Sequence, residues 1–266
     1  MCAVMPPPLS PVRSVTEILH GIPVTDPYRW LEDQNSPETR TWIEEQTRYA
    51  HAYLDHIPQR EHIRKRVREL LDVETYDSFL QSGTRYFFRK RLPGEEQPSI
   101  YMREGPNGQD ELLIEPTARG IGSYTAVKPL LVSPDGGLLL YEVKQGGERT
   151  GTFEIFDVTN RRALPDNLPR GFLRGFAFTP SCRSFYYVHE GILVERPFYR
   201  AAFHHVLGTS FEKDQEIFCA GDDQKLRLVI VPGRRCLGLI VYRFLEKIYT
   251  DFYVLGMGAT GSPVEV

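Results

Sequence analysis

The chain has 266 residues, 41% hydrophobic and 25% charged, an ordinary soluble composition with length for one large domain or two smaller ones. Thirty-two basic against 35 acidic residues give a formal charge of -3, so no global field calls for nucleic acid or an anionic membrane, and no stretch approaches bilayer-spanning length. Cys2, Cys182, Cys219 and Cys236 form no C-x-x-C pair, a spacing that fits neither a zinc site nor a disulfide framework and reads as free thiols of a reducing, cytoplasmic compartment.

Residues 1–12 are rich in proline, carry no apolar core of signal-peptide length, and read as a disordered tail. Residues 13–74 form an arm with helices. Its core is the run Gly21-Ile22-Pro23-Val24-Thr25-Asp26-Pro27-Tyr28-Arg29-Trp30-Leu31-Glu32-Asp33, in which two X-Pro steps hold the backbone extended. Tyr28 and Trp30 are aromatic anchors with polar edges, and Arg29 has Asp26, Glu32 and Asp33 within reach as acceptors. Asn35-Ser36-Pro37-Glu38 is a helix start, and Trp42, Tyr49 and Tyr53 recur on one side of a helix running to about His56. After Pro58 a second helix carries Ile63, Val67, Leu70 and Leu71 on one face. Its arginines and lysine are interleaved with Glu61 and Glu69, so a solvated face outweighs a nucleic-acid surface.

From about Tyr76 the texture turns to strands. Arg85–Arg89, Ser99–Arg103 and Glu111–Ile114 are short strands separated by Pro-Gly and Pro-Asn-Gly turns. Then a unit recurs: strand, proline-containing turn, strand, loop, strand. Its copies centre on Pro134, Pro180 and Pro232, which lie 46 and 52 residues apart. That period suits β-propeller blades, small antiparallel sheets that bury their faces only against the next blade. Residues 75–255 are therefore read as about four blades, and 256–266 as a glycine-rich tail unlike a further blade.

The arm resembles the opening of the prolyl oligopeptidase family of serine peptidases in nearly continuous wording. Ser133-Pro134-Asp135-Gly136, Leu164-Pro165-Asp166 and His205-Val206-Leu207-Gly208-Thr209 are similar to matching points in successive blades of that family. The resemblance runs from about residue 15 to about 255. It implies a mainly β fold: about half of a seven-bladed propeller, preceded by an extended arm and two α-helices that in the family pack on an α/β-hydrolase domain. It further implies a hydrolase of short peptides, cutting after proline by acyl transfer from an activated serine. In the family the nucleophile follows the arm and propeller, on a G-x-S-x-G elbow. No such elbow occurs here: Gly120-Ile121-Gly122-Ser123 and Gly258-Ala259-Thr260-Gly261-Ser262 space their glycines wrongly. The catalytic Ser, Asp and His are expected beyond Val266, and this chain is expected to be inactive alone.

The remaining candidates are weak. Neighbouring His204 and His205 point to opposite faces of a strand and cannot share a metal, so one is expected in a blade core and one at solvent. His51, His56 and His62 read as surface residues, and His189-Glu190 lacks the second histidine of a zincin. Asp222-Asp223, and Asp26 with Glu32, read as turn carboxylates and partners for Arg29 rather than acid–base pairs. Phe198, Tyr199 and Phe203, beside Arg196 and Arg200, either line a groove near the propeller mouth or pack within a blade. No catalytic, cofactor-binding or metal-ligating residue is assigned, and no cofactor is expected. The partners implied are short proline-containing peptides and a hydrolase domain outside this stretch, with no nucleic acid and no membrane. The open propeller edge is a surface for self-association. The rival reading is a non-catalytic propeller-type module that binds peptides or proteins.

Overall fold

The computed structural model describes residues 6–33, 36–117, 124–146, 148–190, 195–233, 235–257 and 264–265. The two glycine-serine runs, Cys2 and most of the C-terminal tail lie outside the described residues. The chain divides into two compact units, residues 1–72 and 73–266.

In the first unit the arm is extended on either side of a tight reversal. Strands β1 (Val15–Leu19) and β2 (Ile22–Asp26) pair antiparallel, and the turn places His20 at φ 53° and Gly21 at φ 81°. Two successive positive φ values give the turn the twist of the strands that it joins, and glycine accepts that conformation without cost. A single helical turn, Arg29–Glu32, leads to α1 (Pro37–Asp55) and then α2 (Arg60–Leu71). The start of α1 is fixed by Ser36, whose Oγ accepts from the Thr39 amide at 3.1 Å, with proline in the first turn where no N–H is needed. Trp30 meets Trp42 edge to face at 6.2 Å between centroids. The proline-rich start is tied to these elements: Trp30 Nε1 donates to Pro11 O at 2.9 Å, Trp42 Nε1 to Ser10 Oγ at 3.0 Å, and Gln46 to Pro8 O at 2.9 Å. On α2, Arg64 pairs with Glu61 and Arg66 with Glu69 at exposed positions, a solvated helix face.

The second unit is built of antiparallel blades. The first contains β3 (Thr75–Ser82), β4 (Arg85–Arg91), β5 (Ser99–Glu104) and β6 (Asp110–Ile114), in sequence order. The second contains β7 (Thr125–Val132), β8 (Leu138–Gln145) and β9 (Gly151–Asp157), with short β10 (Arg162–Ala163) beside β9. Strand β11 (Leu168–Phe178) serves two blades. Its start pairs with β9, and from Phe172 onward it pairs with β12 (Ser184–Glu190). The third blade continues through β13 (Tyr199–Val206) to β14 (Gln215–Asp222). The fourth is β15 (Leu226–Pro232), β16 (Cys236–Phe244), β17 (Ile248–Gly256) and β18 (Val264–Glu265).

The cores lie between blades. Phe87, Ile100 and Met102 of the first blade pack with Val127, Leu139 and Tyr141 of the second. Leu140, Phe153 and Ile155 pack with Phe176, Phe185 and Tyr187 of the third. Ala177, Tyr186, Val188 and Ala202 pack with Leu228, Ile230, Leu239 and Val241 of the fourth. Odd and even residues of one strand thus serve different neighbours, which is why Tyr186 and Tyr187 fall in different cores. Gly175 marks how closely blades three and four approach, since a Cβ there would lie 2.5 Å from the Ile230 amide nitrogen. Among the described residues no core joins the first blade to the fourth, so the propeller is open.

Candidate functional site

The turns at one end of the blades and the strand starts at the other do different work. At the turn end, His205 on β13 is fully buried and held from both sides. Its Nδ1 lies 2.7 Å from Asp214 Oδ1, ahead of β14, and its Nε2 lies 3.0 Å from Asp166 Oδ1, ahead of β11. Phe211 stacks on the ring at 4.1 Å. Both ring nitrogens face carboxylates, so neither is turned toward a serine hydroxyl. The cluster binds three elements of the blade together, and it cannot work as a catalytic dyad. His204, on the opposite face, is half-buried and stacks on Tyr186 at 4.7 Å rather than lying free at solvent. Burial lowers its pKa from the ordinary histidine value.

At the other end, the finish of β12 and the start of β13 frame a shallow cleft that encloses only about 10 Å³ and is otherwise open to solvent. His189, Glu190, Arg196, Tyr199, Arg200 and Phe203 are among the residues lining it. Arg200 is only 4% exposed, with its Nε donating to Leu226 O at 3.1 Å and its Nη1 to Pro197 O at 2.7 Å. Glu190 draws guanidinium groups from three strands: Arg174 on β11 at 3.1 Å, Arg200 on β13 at 3.6 Å and Arg227 on β15 at 3.6 Å. Burial, with Arg227 and Arg174 as like charges nearby, lowers the Arg200 pKa, and Glu190 only partly offsets it. Arg196 lies over the Tyr199 ring at 3.7 Å and pairs with Asp222 at 3.1 Å. Phe172 extends the patch, with Arg174 over its ring at 4.7 Å and Arg149 at 6.0 Å.

Tyr199 and Phe203 line the cleft, while Phe203 also stacks on Tyr187 within the blade. Phe198 is exposed at the rim, 6.0 Å from the Arg200 guanidinium. Glu190 is the hub, and Arg174 and Arg227 carry no local sequence signal because they arrive from other strands. Asp223 accepts the Lys225 amide in a turn. Asp26 accepts from the Tyr28 amide and from Arg29, which also pairs with Glu32 at 3.5 Å and with Glu17 at 3.0 and 3.1 Å. Glu17 is brought there by the hairpin. His51, His56 and His62 are exposed. No group of three or more His, Cys, Asp or Glu side chains suited to a metal occurs among the described residues, and no described helix is long and apolar enough to cross a membrane.

Four successive antiparallel blades behind a hairpin arm and two helices define an open β-propeller of the kind that accompanies peptide-processing enzymes. The chain belongs to the prolyl oligopeptidase family: residues 7–232 match its N-terminal β-propeller domain. It is 24% identical over 214 residues to a prolyl endopeptidase of Elizabethkingia meningoseptica, covering 79% of this chain and 30% of that one. A prolyl endopeptidase of Dictyostelium discoideum is 36% identical over 82 residues, covering 31% of this chain and 11% of the relative. Protease 2 of Moraxella lacunata is 26% identical over 258 residues, covering 93% and 36%. Among solved structures, one from a study of inter-domain dynamics in two prolyl endopeptidases superimposes with a TM-score of 0.84 at 26% identity, over 97% of this chain and 39% of that chain. Prolyl oligopeptidase B of Galerina marginata, bound to a 35mer hydrolysis and macrocyclization substrate, shares the fold with a TM-score of 0.77 at 16% identity, over 97% and 40%. The chain thus spans 30% of the length of the first of these relatives.

Proposed function

We propose that residues 1–266 supply the arm, the helices and four propeller blades of a serine-type endopeptidase that hydrolyses short peptides after proline, and that they do not catalyse that reaction alone. The observation that carries the second part is His205. It is the histidine set deepest against carboxylates, and both of its nitrogens are engaged by Asp166 and Asp214. The reading that substrate peptides run past blade three rests on the cleft at Glu190 and Arg200, which opens where β12 ends and β13 begins. In this reading the acyl-transfer groups belong to a hydrolase domain that partners these residues. Cys182, Cys219 and Cys236 are free, in keeping with a reducing, cytoplasmic setting. The residue boundaries 1–12, 13–74, 75–255 and 256–266 are proposed as tail, arm with helices, propeller and tail.

The test is release of a chromophore from a Gly-Pro or Ala-Pro amide. Purified residues 1–266 are expected to give none above buffer. Turnover that a serine-directed phosphonate blocks would overturn this. The cleft also favours a second reading, a peptide-binding module with no catalytic partner; addition of a hydrolase domain from a family member separates the two, since only the first gains turnover.

A further inference from the structure

The arginines around Glu190 outnumber their counter-ions. Arg149, Arg174, Arg196, Arg200 and Arg227 gather about Phe172, Tyr199 and the cleft, and the carboxylates that meet them or Tyr199 are Glu190, Asp222 and Glu216, five charges against three. Asp222 is taken by Arg196 at 3.1 Å, which leaves Glu190 to serve three guanidiniums. It does so incompletely. Glu190 Oε1 is buried and accepts no hydrogen bond among the described residues, with both guanidinium nitrogens held at 3.6 Å, and Arg174 Nε is likewise buried without an acceptor. The segment that follows, Gly191-Ile192-Leu193-Val194, has no acidic side chain to add. Glu195 is exposed at the rim.

A buried positive charge left without an anion is costly, and a planar guanidinium is built to take a carboxylate in two parallel hydrogen bonds. Tyr199 lines the cleft, and Phe172 and exposed Phe198 lie beside it against Arg174 and Arg200, an aromatic surface against which a peptide backbone can lie. We propose that the arginine patch beside this cleft, formed by Arg174, Arg200 and Arg227 around Glu190, is a carboxylate-binding subsite that anchors a bound peptide by its C-terminus or by an acidic side chain. The subsite rests on the reading of this propeller as a peptide-handling one. It deepens that reading by assigning a charge preference: peptides carrying a carboxylate are selected over neutral ones.

The experiment compares three labelled proline-containing hexapeptides of one sequence on purified residues 1–266, by fluorescence anisotropy at low and physiological salt. One ends in a free carboxylate, one in an amide, and one is the amide with a single glutamate inside. A carboxylate-bearing peptide is expected to bind about tenfold tighter than the neutral amide, with the gap narrowing as salt rises. Whichever acidic peptide keeps the advantage names the source of the carboxylate. Arg174→Gln and Arg227→Gln, at partly exposed positions, are each expected to cut that advantage about threefold and together to erase it. They keep the test sound if buried Arg200→Gln fails to fold. Equal binding of acidic and neutral peptides, or an advantage that survives the double variant, overturns the subsite and leaves the peptide reading intact. If no peptide binds while succinate raises the Tm of the parent and not of the double variant, the subsite stands and the peptide reading falls. If nothing binds, both fall.

Discussion

Tyr187 shows what a single side chain carries in this fold. It is 2% exposed on β12, stacked at 5.6 Å on Phe203, and its hydroxyl donates to Asp214 Oδ2 at 2.8 Å. The same carboxylate holds His205 through Oδ1 at 2.7 Å, so phenol, carboxylate and imidazole form one buried chain. Burial first, and then the neighbouring Asp214 charge, push the phenol above its ordinary range. The unfolded chain would release that proton near pH 10, whereas the folded chain keeps it. The group's contribution to stability is therefore complete below about pH 10 and is lost as pH rises further toward the folded value. Urea denaturation from pH 9 to 11 is expected to show stability falling more steeply for the parent than for Tyr187→Phe, by about 1.4 kcal/mol per pH unit above pH 10. At neutral pH the same substitution is expected to cost about 1 kcal/mol, because Asp214 loses one of its donors. Parallel slopes for the two proteins would mean that Tyr187 ionises freely in the folded state.

At the level of elements, the turn between the first two strands of a repeat explains why the period was readable. Ser133-Pro134-Asp135-Gly136 and Thr179-Pro180-Ser181-Cys182 fold alike. Ser133 N donates to Leu138 O at 2.9 Å and Thr179 N to Ser184 O at 3.0 Å; Gly136 N donates to Ser133 O and Cys182 N to Thr179 O, both at 2.9 Å. Against partial burial, which raises it, hydrogen bonds from Ser133 and the Gly137 amide hold the Asp135 carboxyl below its ordinary value. The turns differ at their fourth residue. Gly136 sits at φ 71° and Cys182 at φ 55°, in the left-handed region that glycine takes without strain. Cys182→Gly is therefore expected to stabilise the protein by about 0.5–1 kcal/mol despite the added freedom of the unfolded chain, read as a rise in the urea midpoint at constant slope. A lower midpoint would show that the thiol's packing outweighs the backbone strain. Proline, glycine and strand periodicity announced β7, β8, β9, β12, β15 and β16, and the aromatic run announced the arm. Strands β3 (Thr75–Ser82) and β14 (Gln215–Asp222) were not legible, because their exposures mix and neither shows clean alternation. The hairpin reversal at His20-Gly21 lay hidden just ahead of two X-Pro signals for extended chain. The cleft was half legible: Arg196, Tyr199 and Arg200 are close in sequence, whereas Glu190, Arg174 and Arg227 meet only through the pairing of β11, β12 and β13 and the packing of β15 against them.

At the scale of the whole propeller unit, blade four is finished on one face and not on the other. Leu237, Leu239, Val241 and Leu255 point into the core shared with blade three. The alternate residues of the same strands form the other face, with Ile240 opposite Phe252, Phe244 opposite Ile248 and Val254 opposite Gly238. Phe252 is 49% exposed and Ile248 64%, so this is an apolar sheet surface rather than a polar rim. A blade buries both faces only between neighbours, and a contiguous apolar sheet left open is an association surface. Residues 1–266 produced as a single chain are therefore expected to self-associate, with a sedimentation coefficient that rises with concentration. Because Phe252 and Val254 lie on the exposed face and not in the core, the pair Phe252→Lys and Val254→Lys is expected to return the protein to a monomer with little loss of thermal stability. A parent that stays monomeric at high concentration would mean that this face tolerates water. Association that persists in the lysine pair would place the contact elsewhere, on the arm or helices, where Ile63, Val67, Leu70 and Leu71 of α2 are also exposed.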